Sequence, residues 1–211
     1  MSVSLVALVL AVTPVEHAKS IIQNDQVVVS EVTWPEGQTG PQWDRDTLIV
    51  FVTGGNLAVT GTDGLSHVVT RVSGDVEFVP KGDLSLRRGA SQEAVKTVVI
   101  QREGISPPPL LNTAGVRDAF DRPGIEKPFE NERFTAWRYT WELSKPTPLH
   151  FHARDVVVVY LADGVLKSIT PDGKSTLNPH SVGYTKFSPR GRVHYEELVK
   201  GRARAVMVEL K

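Results

Sequence analysis

Three residues keep the same spacing in both halves of this chain. Gly183, Pro189 and Gly191 read G-x5-P-x-G, and Gly74, Pro80 and Gly82 repeat that spacing 109 positions earlier. At the same offset Gly55 falls on Gly164, and Asp63-Gly64 falls on Asp172-Gly173. Trp34 and Trp141 match once a two-residue gap is allowed. A period this long marks a duplicated unit, and a duplication restricts the fold more than any local propensity. The alternative is chance recurrence among turn residues, and several landmarks held in register weigh against it. The 211 residues suffice for one large core or two modest ones.

From Val27 onward the chain reads as β-structure. Leu48 to Val52, Val95 to Ile100, Val156 to Leu161 and Ala203 to Leu210 are rich in Val, Ile and aromatic residues, with Gly, Asp or Pro between them. Many short strands with turn signals predict an all-β sandwich or barrel. Thr62-Asp63-Gly64 and Pro171-Asp172-Gly173 carry hairpin-turn chemistry. Between the halves, Glu103 to Asn131 contains Pro107-Pro108-Pro109. There Asn112 is placed to cap a short helix over Thr113 to Phe120, which Pro123 ends.

The charge balance is neutral, with 24 Lys and Arg against 24 Asp and Glu, and nothing in it suggests a nucleic-acid or anionic-membrane partner. The absence of cysteine removes disulfides, thiolate nucleophiles and Cys-zinc clusters. Val3 to Val12 is an apolar run whose length suits a signal-peptide core and is too short to span a bilayer. No Lys or Arg precedes it, and Glu16-His17-Ala18 is a poor cleavage site. A buried N-terminal strand or helix is the competing reading.

The second copy extends its motif to histidine. His194 follows Gly191 to give G-x5-P-x-G-x2-H, whereas the first copy has Ser85 there. Upstream lies His150-Phe151-His152. A strand has a side-chain period of two, so 150 and 152 share one face. Three imidazoles converging on one point suit a mid-row divalent metal. In the first half Pro41 and Trp43 stand at the offset positions of His150 and His152, so no ligand set remains there.

These motifs resemble those of the cupin superfamily, and the duplication resembles a bicupin of the small bacterial kind. The resemblance covers residues 26–102 and 132–211, and it is stronger in the second stretch. It implies two tandem jelly-roll barrels, a degenerate one at 26–102 and a metal-binding one at 132–211. They are joined by a linker at 103–131 and preceded by the apolar segment 1–25. It implies one divalent metal ion per chain (Fe, Ni, Mn or Zn) held inside the second barrel by His150, His152 and His194. The usual first motif adds a glutamate, and counting back from Gly164 puts it at Val157. The asparagine usual four residues after the last histidine is Leu198. A three-histidine face is what remains. Asp155 shares the strand face of position 157 and Glu196 that of His194, so both are candidate ligands or acid–base groups. Solvated rim carboxylates are the plainer reading of each.

A neutral set of three imidazoles leaves a metal its full charge and open coordination positions. The expectation is a metal-dependent oxygenase or isomerase acting on a small organic molecule. The alternative is a non-catalytic protein that binds a metal or small ligand. The expected partner is a small molecule, with no nucleic acid and no membrane for the mature chain, and a homodimer is left open. The location is periplasmic or secreted if the N-terminal run is a signal peptide, and cytoplasmic otherwise. His17, His67 and His180 have no spacing partner and read as surface or turn residues. The alternation Trp137-Tyr139-Trp141 reads as packing of one sheet face, or as an aromatic pocket wall. Arg154, Arg190 and Arg192 sit near the motif turns, either exposed or holding an anion at the mouth.

Overall fold

A computed structural model describes residues 18–211. The apolar run Val3 to Val12 and the sequence's first histidine, His17, lie outside the described residues. Among the described residues the fold is all-β, and no helix is long and apolar enough to cross a membrane. The first half holds β1 (Ala18–Gln23), β2 (Val27–Trp34), β3 (Thr47–Phe51), β4 (Gly55–Thr60), β5 (Ser66–Arg71), β6 (Val76–Val79), β7 (Leu86–Gly89) and β8 (Val95–Arg102). The linker adds β9 (Arg117–Asp118). The second half holds β10 (Glu126–Glu130), β11 (Phe134–Trp141), β12 (His150–Phe151), β13 (Val156–Tyr160), β14 (Gly164–Ile169), β15 (Ser175–His180), β16 (Thr185–Ser188), β17 (Val193–Gly201) and β18 (Ala203–Leu210).

Each half makes one five-stranded sheet of the same plan. The orders are β1-β2-β8-β3-β6 and β10-β11-β18-β13-β16. Each half also has a second sheet, β5-β4-β7 in the first and β15-β14-β17-β12-β9 in the second. The 109-residue register holds at the level of hydrogen-bonded pairs. Thr47 faces Val79 and Val156 faces Ser188, while Leu57 faces Gly89 and Leu166 faces Leu198. Gly74 donates its N–H to Phe51 O and Gly183 to Tyr160 O, each at 2.8 Å. The motif glycines take positive φ in both copies, +93° and +84° at Gly74 and Gly82 and +85° at Gly183 and Gly191. A side chain is disfavoured there, which is why glycine recurs.

The five-stranded sheets are buried on both faces, which explains strands that are apolar without alternation. Leu48, Val50, Val98 and Ile100 pack with Val157, Val159, Val206 and Val208 in one core between the halves. The intervening residues turn inward. Ile49, Phe51 and Val99 join Trp34 in the first half, and Val156, Val158 and Tyr160 join Trp141 in the second.

The linker helix expected over Thr113 to Phe120 does not form. Gly115 takes φ +65°, and Arg117–Asp118 pairs in parallel with His150–Phe151 as the outermost strand of the second small sheet. Asn112 caps this loop rather than a helix, its side-chain amide donating to Val116 O at 2.7 Å and Asp118 Oδ1 at 3.1 Å. A short segment holding a left-handed glycine cannot repay helix nucleation, whereas an open strand edge offers its backbone partners at once.

Candidate metal centre

His150 sits on β12 directly opposite His194 on β17. His152 follows one residue after the strand and continues the ladder. Its N–H donates to Arg192 O at 2.9 Å, and its carbonyl accepts the Gly191 N–H at 2.8 Å. The second motif glycine therefore fixes the backbone beside one histidine three residues before the next. The three rings form a nearly equilateral set, with centroids 4.6, 5.1 and 5.1 Å apart. All three side chains are buried, and each offers a nitrogen within 4.8 Å of the others.

The donor set fits a divalent ion. Nε2 of His152 and Nε2 of His194 are 3.0 Å apart. That is close to the spacing of two ligands on one ion with bonds of about 2.1 Å. Nδ1 of His150 lies 2.8 Å from Pro148 O, so it is the donor there and its Nε2 is left as an acceptor. Nδ1 of His194 bonds Ser168 Oγ at 2.7 Å. Nδ1 of His152 is buried without a partner among the described residues, and Phe120 meets that ring edge-on at 5.9 Å. Burial lowers all three imidazole pKa values, that of His194 to about 2 with help from the charge of Arg192. Neutral imidazole is the form that ligates.

The cavity beside the histidines measures about 20 Å³ and is walled by Val156, Val158, Trp141 and Tyr160. On β13 it is 156 and 158 that face this space, while Val157 is in the core between the halves. The vacant glutamate position assigned to 157 therefore points away from the site, and the wall that does face it is apolar. Leu198 fills the interior core of the second half.

The two candidate carboxylates separate. Glu196 lines the cavity and is 9% exposed, with Trp141 Nε1 donating to its Oε2 at 3.2 Å. Burial pushes its carboxyl up, but Arg122, Lys186 and the histidines outweigh that and hold it below its ordinary value. Asp155 is not brought to the cavity. Its carboxylate accepts the Arg190 N–H at 2.8 Å and the Gln26 amide at 2.9 Å, which ties β13 to the first half.

Of the arginines near the motif turns, Arg192 reaches the cavity. Its Nη1 donates to Ser188 Oγ at 2.6 Å, and its Nη2 lies 3.0 Å from His194 Nε2. Arg190 instead donates to Pro108 O at 2.6 Å. Of the aromatic alternation Trp141 lines the cavity, and Tyr139 and Trp137 pack against the core of the second half. Trp141 binds Glu196, Tyr139 meets Trp141 edge-on at 5.0 Å, and Trp137 stacks on Phe120 at 5.0 Å. His180 is buried rather than at the surface, stacked 3.9 Å from Tyr160, whereas His67 is exposed on β5.

Sequence reading missed three residues of this cavity, Arg122, Lys186 and Ser188. Lys186 and Ser188 lie in the motif run and are found by extending its period-two face along β16. Arg122 comes from the linker, and no motif signalled it.

No family model matches the sequence, and no curated protein matches it. Solved structures do resemble the fold. AerE from Microcystis aeruginosa shares 12% identity over 92% of this chain and 97% of its own, with a TM-score of 0.65. A cupin 2 conserved barrel domain protein from Leptotrichia buccalis shares 13% over 92% and 88%, at 0.56. Oxalate decarboxylase of Bacillus subtilis, in a structure concerned with its Mn(II) centres, shares 11% over 89% and 69%, at 0.62. At these identities the likeness is one of fold, and the fold of this chain is the one these cupin structures share.

Proposed function

We propose that the chain is a bicupin of two tandem jelly-roll barrels in which only the second holds a metal, and that it acts on a small organic molecule there. The observation that carries this is the buried, mutually facing triad of His150, His152 and His194, set in a cavity that also contains an ionisable carboxylate. A divalent ion held by three neutral imidazoles supplies a Lewis-acid centre with open coordination positions. The protein residues do the rest. Pro148 O and Ser168 Oγ orient two of the imidazoles. Phe120 and Trp141 exclude water from two sides. Glu196, positioned by the Trp141 indole, is the group that takes or returns a proton, and its oxygen must reach the ligand directly or through one water. Asp155 has no part in this reading.

A non-catalytic binding protein is the second reading, favoured by the small cavity and by the apolar wall at Val156 and Val158. Two measurements separate the readings. Elemental analysis of tag-free protein offered Fe(II), Ni(II), Mn(II) or Zn(II) should give about one ion per chain. It should fall to background in His150→Ala/His152→Ala and in His194→Ala, and be unchanged in Ser85→Ala. Full occupancy in the double variant would place the metal elsewhere. Oxygen uptake or product formation that disappears in Glu196→Gln, with metal content intact, supports turnover. Its absence across a broad panel of small acids, sugars and thiols leaves the binding protein.

A further inference from the structure

The cavity beside the histidines collects more positive charge than its own residues neutralise. Arg122, Lys186 and Arg192 line it with a single carboxylate, Glu196. None of the four belongs to an ion pair among the described residues. Arg122 is the least compensated. It is 6% exposed, its Nε and Nη1 have no hydrogen-bond partner among the described residues, and its Nη2 meets only the Met207 sulfur at 3.8 Å. The guanidinium lies over the Tyr139 ring at 4.0 Å, with Trp141 at 5.6 Å. Those rings cover its flat face and leave the N–H edge unspent. A guanidinium keeps its charge in proteins and carries five donors, so burying one without an acceptor is unfavourable.

The first half shows what a closed account looks like in this fold. At the position of Glu196 it has Arg87, bonded to Glu77 at 2.9 Å and to Ser85 Oγ at 2.9 Å, with Asp83 at 3.4 Å. That cluster balances its ions internally. The second lacks an acceptor for Arg122.

We infer that Arg122 anchors a carboxylate of the ligand that enters this cavity, so the ligand is a small organic carboxylate held between the linker and the histidine cluster. A planar carboxylate meets the guanidinium fork edge to edge. The stacked Tyr139 ring leaves that edge of the guanidinium as the face a carboxylate can meet. Lys186 and Arg192 line the cavity as further positive groups, and Glu196 lines it as the one carboxylate. The inference deepens the proposed function by naming its ligand class. Binding by Arg122 can be measured with or without metal, so the two ideas fail separately.

Malonate and acetate, with phosphate and chloride at matched ionic strength, are the probes for calorimetric titration of the full chain, with metal content assayed alongside. Malonate should bind the wild type and raise its melting temperature. Arg122→Gln should weaken malonate about 30-fold and Arg122→Lys about 10-fold, because lysine restores the charge without the fork. Both variants should keep their metal. In anion-free buffer Arg122→Met should melt above the wild type, since it removes buried N–H donors that have no acceptor while Lys186 and Arg192 still line the cavity with Glu196. A guanidinium with a merely structural role would give the opposite sign. Malonate binding to Arg122→Gln within about threefold of wild type, phosphate or chloride binding as tightly as malonate, or a Met variant that melts lower and still responds to malonate would each overturn the inference. Loss of metal from His150→Ala/His152→Ala with malonate still bound would uphold the anchor independently of the metal. A wild type that takes up no metal yet binds malonate through Arg122 would sink the metal reading alone.

Discussion

At the places where the second half has Glu196, Lys186 and Arg192, the first half has Arg87, Glu77 and Asp83. The signs are reversed one for one. The first half also has Pro41, Trp43 and Ser85 where the second has its histidines. Arg87 is buried, pairs with Glu77 at 2.8 Å and Asp83 at 3.4 Å, and lies over Trp43 at 6.0 Å. Its site is a closed ion-pair network on an aromatic floor. Glu196 is equally buried and has one indole donor, beside cations that pair with nothing. One fold thus serves two ends. In the first half the charges satisfy one another, and in the second they do not. The difference lies in a few inward positions, while the outward faces of both sheets stay apolar and meet in a shared core.

The largest effect should come from that shared core, where the halves are alike. Val50 and Val159 are fully buried there at equivalent positions. Replacing either by Asp should destabilise by more than about 4 kcal/mol. Fluorescence of the first-half and second-half tryptophans should then report one common unfolding transition. Two separate transitions would show that the halves fold independently and would break the comparison.

Next comes the network that only the first half has. Arg87→Ala takes the buried cation from two half-buried carboxylates, Glu77 and Asp83, of which Glu77 keeps Arg71, and should cost roughly 2–3 kcal/mol, measured by urea unfolding. Adding Glu77→Leu should return much of it. The counterpart change Glu196→Gln should cost under about 1 kcal/mol, because no ion pair is lost. Equal losses at the two positions would mean that Glu196 is as deeply networked as Arg87.

Last is a pH slope confined to the second half. Burial lowers the pKa of His150, His152 and His194 in the fold, whereas in the unfolded chain they titrate near 6.5. Below about pH 6.5 the unfolded chain takes up protons that the fold refuses, so stability is lost as pH falls. The slope is up to about 1.4 kcal/mol per pH unit for each proton. Metal-free wild type should show a melting temperature that drops from pH 7 to pH 5. His150→Ala/His152→Ala should flatten that drop and Ser85→Ala should leave it unchanged. His180, also lowered by burial, supplies the residual slope.

Much of this was legible in the residues themselves. The duplication, the hairpin glycines, the β-class and the shared face of His150 and His152 follow from spacing, because a strand alternates its faces every residue and a left-handed turn needs glycine, while the place of His194 opposite them came from the resemblance to cupins. Glu196 could be placed beside His194 by the same alternation. Spacing failed at Asp155 and Val157. Sharing a face with each other was right, but which face met the cavity depended on how β13 is sandwiched between its own interior and the other half.

The linker was decided by tertiary structure alone. Nothing local says that Arg117–Asp118 will close an edge beside His150, or that Phe120 will then meet the His152 ring and Arg122 enter the histidine cavity. Its residues form no periodic pattern, so their fate rested on which strand edge and which aromatic surface were left uncovered once the halves had packed. Local sequence sets turns and alternating faces through backbone sterics. Which buried charge meets which partner is set by elements far apart in the chain, and here that left Arg122 with none.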